Sequence, residues 1–129
     1  MSSSSSFYTV FTALLAAFFS TLALAAPTSS NIVARDFTGR ATYFEVGLGS
    51  CGWTNVDTDY IVALSPSTYA GGVHCGKQIT ITNSGISATA TVVDTCPGCG
   101  PDDLDMSPSL FARFQPLAQG VFQMGWNFN

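Results

Sequence analysis

Charge is scarce in this sequence of 129 residues, which has four Lys and Arg, eight Asp and Glu, and a single His. The formal net charge is −4, and no stretch gathers basic residues into a cluster. Nucleic acids and anionic membranes attract proteins through such clusters. We therefore predict neither nucleic acid nor membrane lipid as a partner of the mature protein.

Charged residues are missing altogether from the first 34 positions, and residues 7–26 form an almost unbroken apolar run. The small residues at positions 23–25 suit a signal peptidase, and Pro27 favours an extended chain after them. We predict a signal peptide over residues 1–25 and a secreted, extracellular protein. The alternative is an uncleaved membrane anchor, because about 20 apolar residues can span a bilayer. Small residues end this run and no basic stop-transfer cluster follows it, which favours cleavage.

Removing residues 1–25 from 129 leaves 104, which is enough for one compact domain and too few for two. We predict a monomer without a cofactor.

In a secreted chain the four cysteines are expected to form two disulfides. The alternative, a zinc site that adds His74, is disfavoured by an oxidising compartment, so we predict no metal. Sequence alone leaves three pairings open for Cys51, Cys75, Cys96 and Cys99.

Residues 26–38 have no clear periodicity and are interpreted as a flexible segment before a domain over residues 39–129. That domain is rich in Thr, Val, Ile, Gly and aromatic residues, a composition typical of a mainly β fold. Residues 77–82 and 86–93 alternate around an Asn-Ser-Gly turn and predict a hairpin. A last strand is predicted to bury alternate apolar residues, rather than expose them as an aromatic binding stripe: Phe122, Met124, Trp126 and Phe128.

Two segments 42 residues apart match each other: residues 64–70 (LSPSTYA) and residues 106–112 (MSPSLFA). Each predicts a strand, a Ser that caps the following helix through its side chain, and a Pro at the first helical position. The second helix is predicted to bury Leu110, Phe111 and Phe114. Such a repeat indicates two related halves.

Six short motifs then occur in the order found in the expansin, barwin and RlpA-like group of double-psi β-barrels. The chain resembles this group over residues 39–128, and within it the short fungal loosenin-type proteins. The resemblance implies a six-stranded double-psi β-barrel with two short helices and a polysaccharide groove. We expect the second, carbohydrate-binding domain of expansins to be absent, since the sequence ends at Asn129. The motifs are residues 39–44 (GRATYF), 49–53 (GSCGW), 63–65 (ALS), 74–76 (HCG), 92–99 (VVDTCPGC) and 104–107 (LDMS).

The resemblance also implies a disulfide pairing, because expansins and barwin bridge the cysteines that match Cys51 and Cys75. Cys96 and Cys99 are then left to each other within a Cys-Pro-Gly-Cys loop. A redox-active pair is the alternative for this loop. Redox pairs of that type lie at a helix N-terminus, whereas here the next helix is predicted to begin near Pro108, which favours a structural bridge.

Asp105 is the leading candidate for a catalytic residue. It lies between Leu104 and Met106, so its carboxylate faces outwards if those two face the core. The matching position of the first repeat is Ala63, and the fold therefore does not require a carboxylate there. A solvated surface acid is the simpler alternative. The resemblance favours function, because the matching aspartate is needed for wall loosening in expansins and is the general acid in related cellulases.

Asp94 is the second catalytic candidate, and it either accepts hydrogen bonds from loop amides or acts on Asp105. The resemblance places Thr42 and Tyr43 among the substrate-binding residues. Strand alternation lets only one of the two side chains face the groove. Ordinary strand packing is the alternative for both. Trp53 follows Cys51 in a loop, where it is either a lid on the core or a platform for a sugar ring.

Hydrolysis by inversion needs a second carboxylate as base. Cellulases of this barrel type carry it in the first strand, which here reads Ala-Thr-Tyr-Phe over residues 41–44, and nearby Glu45 does not match its position. Cys96 also departs from bacterial expansins, which have a groove tyrosine there.

We predict a secreted protein that binds cell-wall polysaccharide (cellulose, other β-glucan or chitin) and loosens it without hydrolysis. The alternatives are a glycan-cleaving cellulase or lytic transglycosylase, and a barwin-like binding or protease-inhibitor module.

Overall fold

Six strands and two short helices form the part of the chain that the computed structural model describes, residues 36–129. The predicted signal peptide and most of the predicted flexible segment lie outside these residues. Within them, no helix is long and apolar enough to cross a bilayer. The strands are β1 (Phe37–Tyr43), β2 (Ile61–Leu64), β3 (Gln78–Asn83), β4 (Ile86–Thr95), β5 (Leu104–Met106) and β6 (Phe122–Phe128), and the helices are α1 (Pro66–Tyr69) and α2 (Pro108–Phe114).

The six strands close into a barrel in the order β1-β5-β2-β4-β3-β6. β1 pairs with β5 and β2 with β4 in parallel, and the other neighbours are antiparallel. Closure leaves no free sheet edge. Exchanging β1 with β4, β5 with β2 and β6 with β3 reproduces the same order, so the halves indicated by the sequence repeat are related by a pseudo-two-fold axis. The predicted six-stranded barrel with two short helices is confirmed.

The core fills the barrel with the apolar residues that alternate along its strands. β6 contributes Phe122, Met124 and Trp126, all buried, while Phe128 is partly buried and packs against the core. This confirms the predicted burial of the last strand. α2 packs three buried side chains into this core, as predicted: Leu110, Phe111 and Phe114.

The hairpin of β3 and β4 is confirmed, with Asn83 paired to Ile86 across a two-residue turn. Ser84 and Gly85 both have positive φ, at 48° and 78°. Two successive residues in this region make a type I′ turn, whose twist matches that of the strands.

Two local predictions are wrong. β1 begins at Phe37, inside the segment interpreted as flexible, because Phe37 pairs with Trp126 and their rings stack 4.4 Å apart. Neither Ser65 nor Ser107 caps its helix through its side chain. Both hydroxyls are buried and donate elsewhere, that of Ser107 to the carbonyl oxygen of Asp59.

All four cysteines form disulfides, Cys51 with Cys75 and Cys96 with Cys99. These are the pairs that the resemblance implies, and they leave no thiolate for the alternative zinc site. The first bridge ties the long loop after β1 to the turn before β3. The second closes the short loop between β4 and β5.

Candidate functional site

Four residues form a row across the outer face of four adjacent strands. Thr42 of β1 pairs with Asp105 of β5, Asp105 pairs with Ala63 of β2, and Ala63 pairs with Asp94 of β4. The pseudo-two-fold axis passes between Asp105 and Ala63 and relates Thr42 to Asp94. The barrel therefore brings together both predicted catalytic carboxylates and one predicted substrate-binding residue.

Asp105 points outwards because its neighbours Leu104 and Met106 are fully buried in the barrel. Its side chain is partly buried, and the hydroxyl of Thr42 donates to its Oδ1 atom at 3.0 Å. Burial raises the pKa of Asp105 above the ordinary value; the negative charge of Asp94 adds to this rise, and the hydrogen bond from Thr42 opposes it. Such a carboxyl group keeps its proton to a higher pH than a solvated aspartate, which suits a hydrogen-bond or proton donor.

Asp94 combines the two interpretations that the sequence left open. Its Oδ1 atom accepts hydrogen bonds at 2.8 Å from the backbone N–H groups of Ser50 and Thr95. It thereby holds the loop after β1, while its charge acts on Asp105. The carboxylate fixes the loop and tunes its neighbour at the same time.

The loop over residues 44–60 is held tightly where it meets β4. A methyl group added at Gly49 would lie 2.3 Å from the carbonyl oxygen of Val93, so only glycine fits this approach. The N–H of Cys51 donates to the same oxygen at 3.1 Å, and the N–H of Gly49 donates to the carbonyl of Trp53 at 2.9 Å. Together with the disulfide of Cys51, these bonds fix the position of Trp53.

Trp53 is 48% exposed, and the edge of its ring lies against Gly76. At this exposure Trp53 is not part of the barrel core, which favours the platform interpretation over the lid. A fixed, half-exposed indole offers a flat apolar surface on the loop that Asp94 holds.

A pocket of about 250 Å³ adjoins the Thr42 end of the row. Two of its residues were not predicted from the sequence: Arg40 and Asp103, whose side chains form an ion pair at 3.3 Å. Burial alone would raise the pKa of Asp103, but hydrogen bonds from the Arg40 N–H, the Arg40 guanidinium and the Gly100 N–H outweigh burial and lower it. Arg40 lies two residues before Thr42, so strand alternation could have placed it on the same face. The pocket lining also includes Cys96, Gly98 and Cys99.

Tyr43 lies on the other side of β1 from Thr42. Its ring contacts that of Phe111 on α2 edge-on, with the ring centroids 4.9 Å apart. The structure therefore places Thr42 at Asp105 and keeps Tyr43 away, as strand alternation requires.

No family model matches the chain. Among curated proteins, the Allergen Asp f 7 of Aspergillus fumigatus is 40% identical over 97 residues, covering 70% of this chain and 36% of the allergen. The chain thus spans about a third of the length of that relative. The Papain inhibitor of Streptomyces mobaraensis is 30% identical over 127 residues, covering 90% of this chain and 88% of the inhibitor.

Solved structures show the same fold. The Streptomyces papain inhibitor superposes with a TM-score of 0.66 and 26% identity, over 73% of this chain and 94% of that protein. An expansin of Clavibacter michiganensis gives a TM-score of 0.67 with 24% identity, over 73% of this chain and 50% of the expansin. A mutant of that expansin has been solved in complex with cellohexaose.

Proposed function

Because the chain belongs to the double-psi β-barrel family that includes the Streptomyces papain inhibitor, and shares its fold with expansins, we propose that it is a secreted polysaccharide-binding protein. It binds β-glucan or chitin chains of the cell wall across the row of Thr42, Asp105, Ala63 and Asp94. It loosens contacts between chains without cutting them. The observation that carries this proposal is the partly buried carboxyl group of Asp105, held by Thr42 on an open face of the barrel.

Loosening follows from competition between hydrogen bonds. Neighbouring polysaccharide chains hold each other through neutral hydroxyl groups, each bond contributing about 0.5–1.5 kcal/mol net. A protonated Asp105 can donate to a glycan oxygen and so replace one of the bonds between chains. Trp53 supplies a flat apolar surface for a sugar ring on the adjacent loop. Chains bound in this way are separated from their neighbours.

The absence of hydrolysis rests on the residues that flank Asp105. An inverting enzyme needs a second carboxylate that holds the attacking water on the opposite side of the sugar. The outward residues of β1 beside Asp105 are Arg40 and Thr42, and neither is a base of this kind. Asp94 is the other carboxylate in the row, but its Oδ1 atom already accepts from two backbone N–H groups, so we assign it to holding the loop and not to the role of base.

The decisive experiment compares the wild-type protein with Asp105→Asn on insoluble cellulose, chitin and mixed-linkage β-glucan. We expect the wild type to bind and to weaken strips of filter paper without releasing reducing ends, and Asp105→Asn to lose the weakening. Glu45→Gln is the matched control, since Glu45 is exposed and lies outside the row. Release of new reducing ends by the wild type but not by Asp105→Asn would replace loosening with cleavage.

Protease inhibition is a second candidate, favoured by the similarity to the Papain inhibitor along nearly its whole length. The loop over residues 44–60 supports it, because large apolar side chains protrude from a rigid backbone: Leu48 is 74% exposed and Val56 58%. Asp57 and Asp59 brace this loop by accepting from the N–H groups of Val46 and Val56. Rigid loops bind with little loss of conformational entropy.

Titration of papain with the protein tests this second function. Inhibition that Leu48→Asp abolishes and Asp105→Asn preserves would establish it. If papain retains full activity at a large molar excess of the protein, the inhibitor function is ruled out for that protease.

A further inference from the structure

The outer face of β1, β6 and β3 carries a second concavity, on the side of the barrel away from β5 and β2. Its volume is about 380 Å³, within the range of roughly 300–1,000 Å³ that is usual for small-molecule sites. Thr38 of β1 and Thr82 of β3 are both paired with Gly125 of β6, so these three residues form one row. The two threonines form the sides of a trough with the glycine at its floor.

The fold does not require glycine at position 125. Its backbone lies outside the positive-φ region, and among residues 36–129 an added methyl group would meet only Thr82 Oγ1 at 3.4 Å and a backbone oxygen at 3.7 Å, which are ordinary contacts. At Gly39, by contrast, the same methyl group would lie 2.3 Å from a carbonyl oxygen. A glycine inside a strand weakens it, and often marks a place where a ligand approaches the backbone closely.

Most of the described side chains around this trough are polar, and only one of them is charged. Next to the first row, Asn127 of β6 pairs with Thr80 of β3 and donates from Nδ2 to Asp36 Oδ1 at 3.0 Å. Among residues 36–129, those that line the concavity supply three threonine hydroxyls, one amide and one carboxylate but no cation, and Gly125 and Trp126 complete the lining. The carboxylate repels anions, whereas hydroxyl and amide groups can both donate to and accept from the hydroxyls of a neutral sugar.

We propose that this trough is a second carbohydrate-binding site, which takes a neutral, hydroxyl-rich glycan chain against Gly125. Both sites include a residue of β1, but the trough lies apart from the Asp105 row, because β6 and β3 lie across the barrel from β5 and β2. One molecule then holds two glycan chains on opposite faces. This arrangement keeps the protein attached to one chain while the Asp105 row acts on another.

The test is an NMR titration of the ¹⁵N-labelled protein with cellohexaose and, separately, with chitohexaose. We expect the amides of Thr38, Thr82 and Gly125 to shift with at least one of them. Gly125→Val fills the trough with a side chain that strands favour and raises the Kd of this site by about tenfold, equivalent to the loss of one or two hydrogen bonds. Should Gly125→Val misfold, Gly125→Ala makes the same test, because its methyl group meets only ordinary contacts.

Two controls separate the sites. Gln123→Val adds the same side chain to β6 at an exposed position outside the trough and leaves the Kd unchanged. Asp105→Asn leaves the shifts at the trough unchanged, so failure of the proposed loosening activity and failure of this site give different results. The proposal is overturned if neither hexasaccharide shifts these amides, or if Gly125→Val binds like the wild type. Dimerisation that Gly125→Val abolishes in sedimentation equilibrium would also overturn it, by making this face a self-association surface.

Discussion

The hydrogen bond from Thr42 to Asp105 makes a prediction about how stability depends on pH. Thr42→Val keeps the shape of the side chain and removes only the hydroxyl that donates to Asp105 Oδ1 at 3.0 Å. This bond favours the ionised carboxylate, so its contribution is largest above the pKa of Asp105 and falls as the pH drops through that pKa. Burial holds this pKa above the ordinary value, so the change occurs above the range of a solvated aspartate.

The expected magnitudes come from the two forms of the bond. At pH 9 Thr42→Val removes a bond to a carboxylate that is only partly buried, and lowers the free energy of unfolding by about 1.5 kcal/mol. At pH 3 the carboxyl group is neutral, and the loss is about 0.5 kcal/mol. Urea unfolding followed by the fluorescence of Trp53 and Trp126 measures both values, since domains of this size usually unfold in two states.

The control for this prediction is Thr89→Val. Thr89 lies exposed on β4, and the same substitution there has an effect that does not change between the two pH values. An equal loss for Thr42→Val at pH 3 and pH 9 would refute the reasoning, because the bond would then not distinguish the two protonation states of Asp105.

Three further predictions follow from the site and its supports. Weakening of filter paper by the wild type decreases as the pH rises through the raised pKa of Asp105, because only the neutral form can donate to a glycan oxygen; activity that is flat from pH 4 to pH 8 contradicts this role. Gly49→Ala lowers the free energy of unfolding in urea by about 1–3 kcal/mol through its clash with β4. Gly47→Ala changes it by less than about 0.5 kcal/mol, since no other described residue lies within 4 Å of the added methyl group. Replacing both Cys51 and Cys75 by Ser removes a disulfide with a sequence separation of 24 and lowers the free energy of unfolding by about 3 kcal/mol. A loss below about 1 kcal/mol would show that the loop over residues 44–60 is held in place without this disulfide.

The parts of the fold that were predictable from sequence are those set by neighbouring residues. The alternation of Phe122, Met124 and Trp126 marks a strand with one buried face, and Ser84-Gly85 suits a tight hairpin turn. In both cases the physical cause acts within a few residues. The same holds for Asp105, whose outward direction follows from its two buried neighbours.

The parts that were not predictable depend on residues distant in sequence. Arg40 and Asp103 are 63 residues apart, and Asp94 meets Ser50 across 44 residues. The cap expected from Ser107 failed for the same reason, since its buried hydroxyl bonds to a carbonyl 48 residues away. Local propensity favours a side-chain cap at Ser107, but its hydroxyl forms the long-range hydrogen bond instead.

The pseudo-two-fold axis explains why the row holds one carboxylate at its centre and not two. Ala63 and Asp105 occupy equivalent positions and are direct partners across β2 and β5. Directly paired residues in antiparallel strands have Cβ atoms about 5 Å apart, so like charges at both positions would repel each other strongly. Ala63 is buried, and a carboxylate there would also lose its hydration. Breaking the symmetry at this pair therefore gives one polarised carboxyl group, supported by Thr42 on one side and influenced by Asp94 from the other.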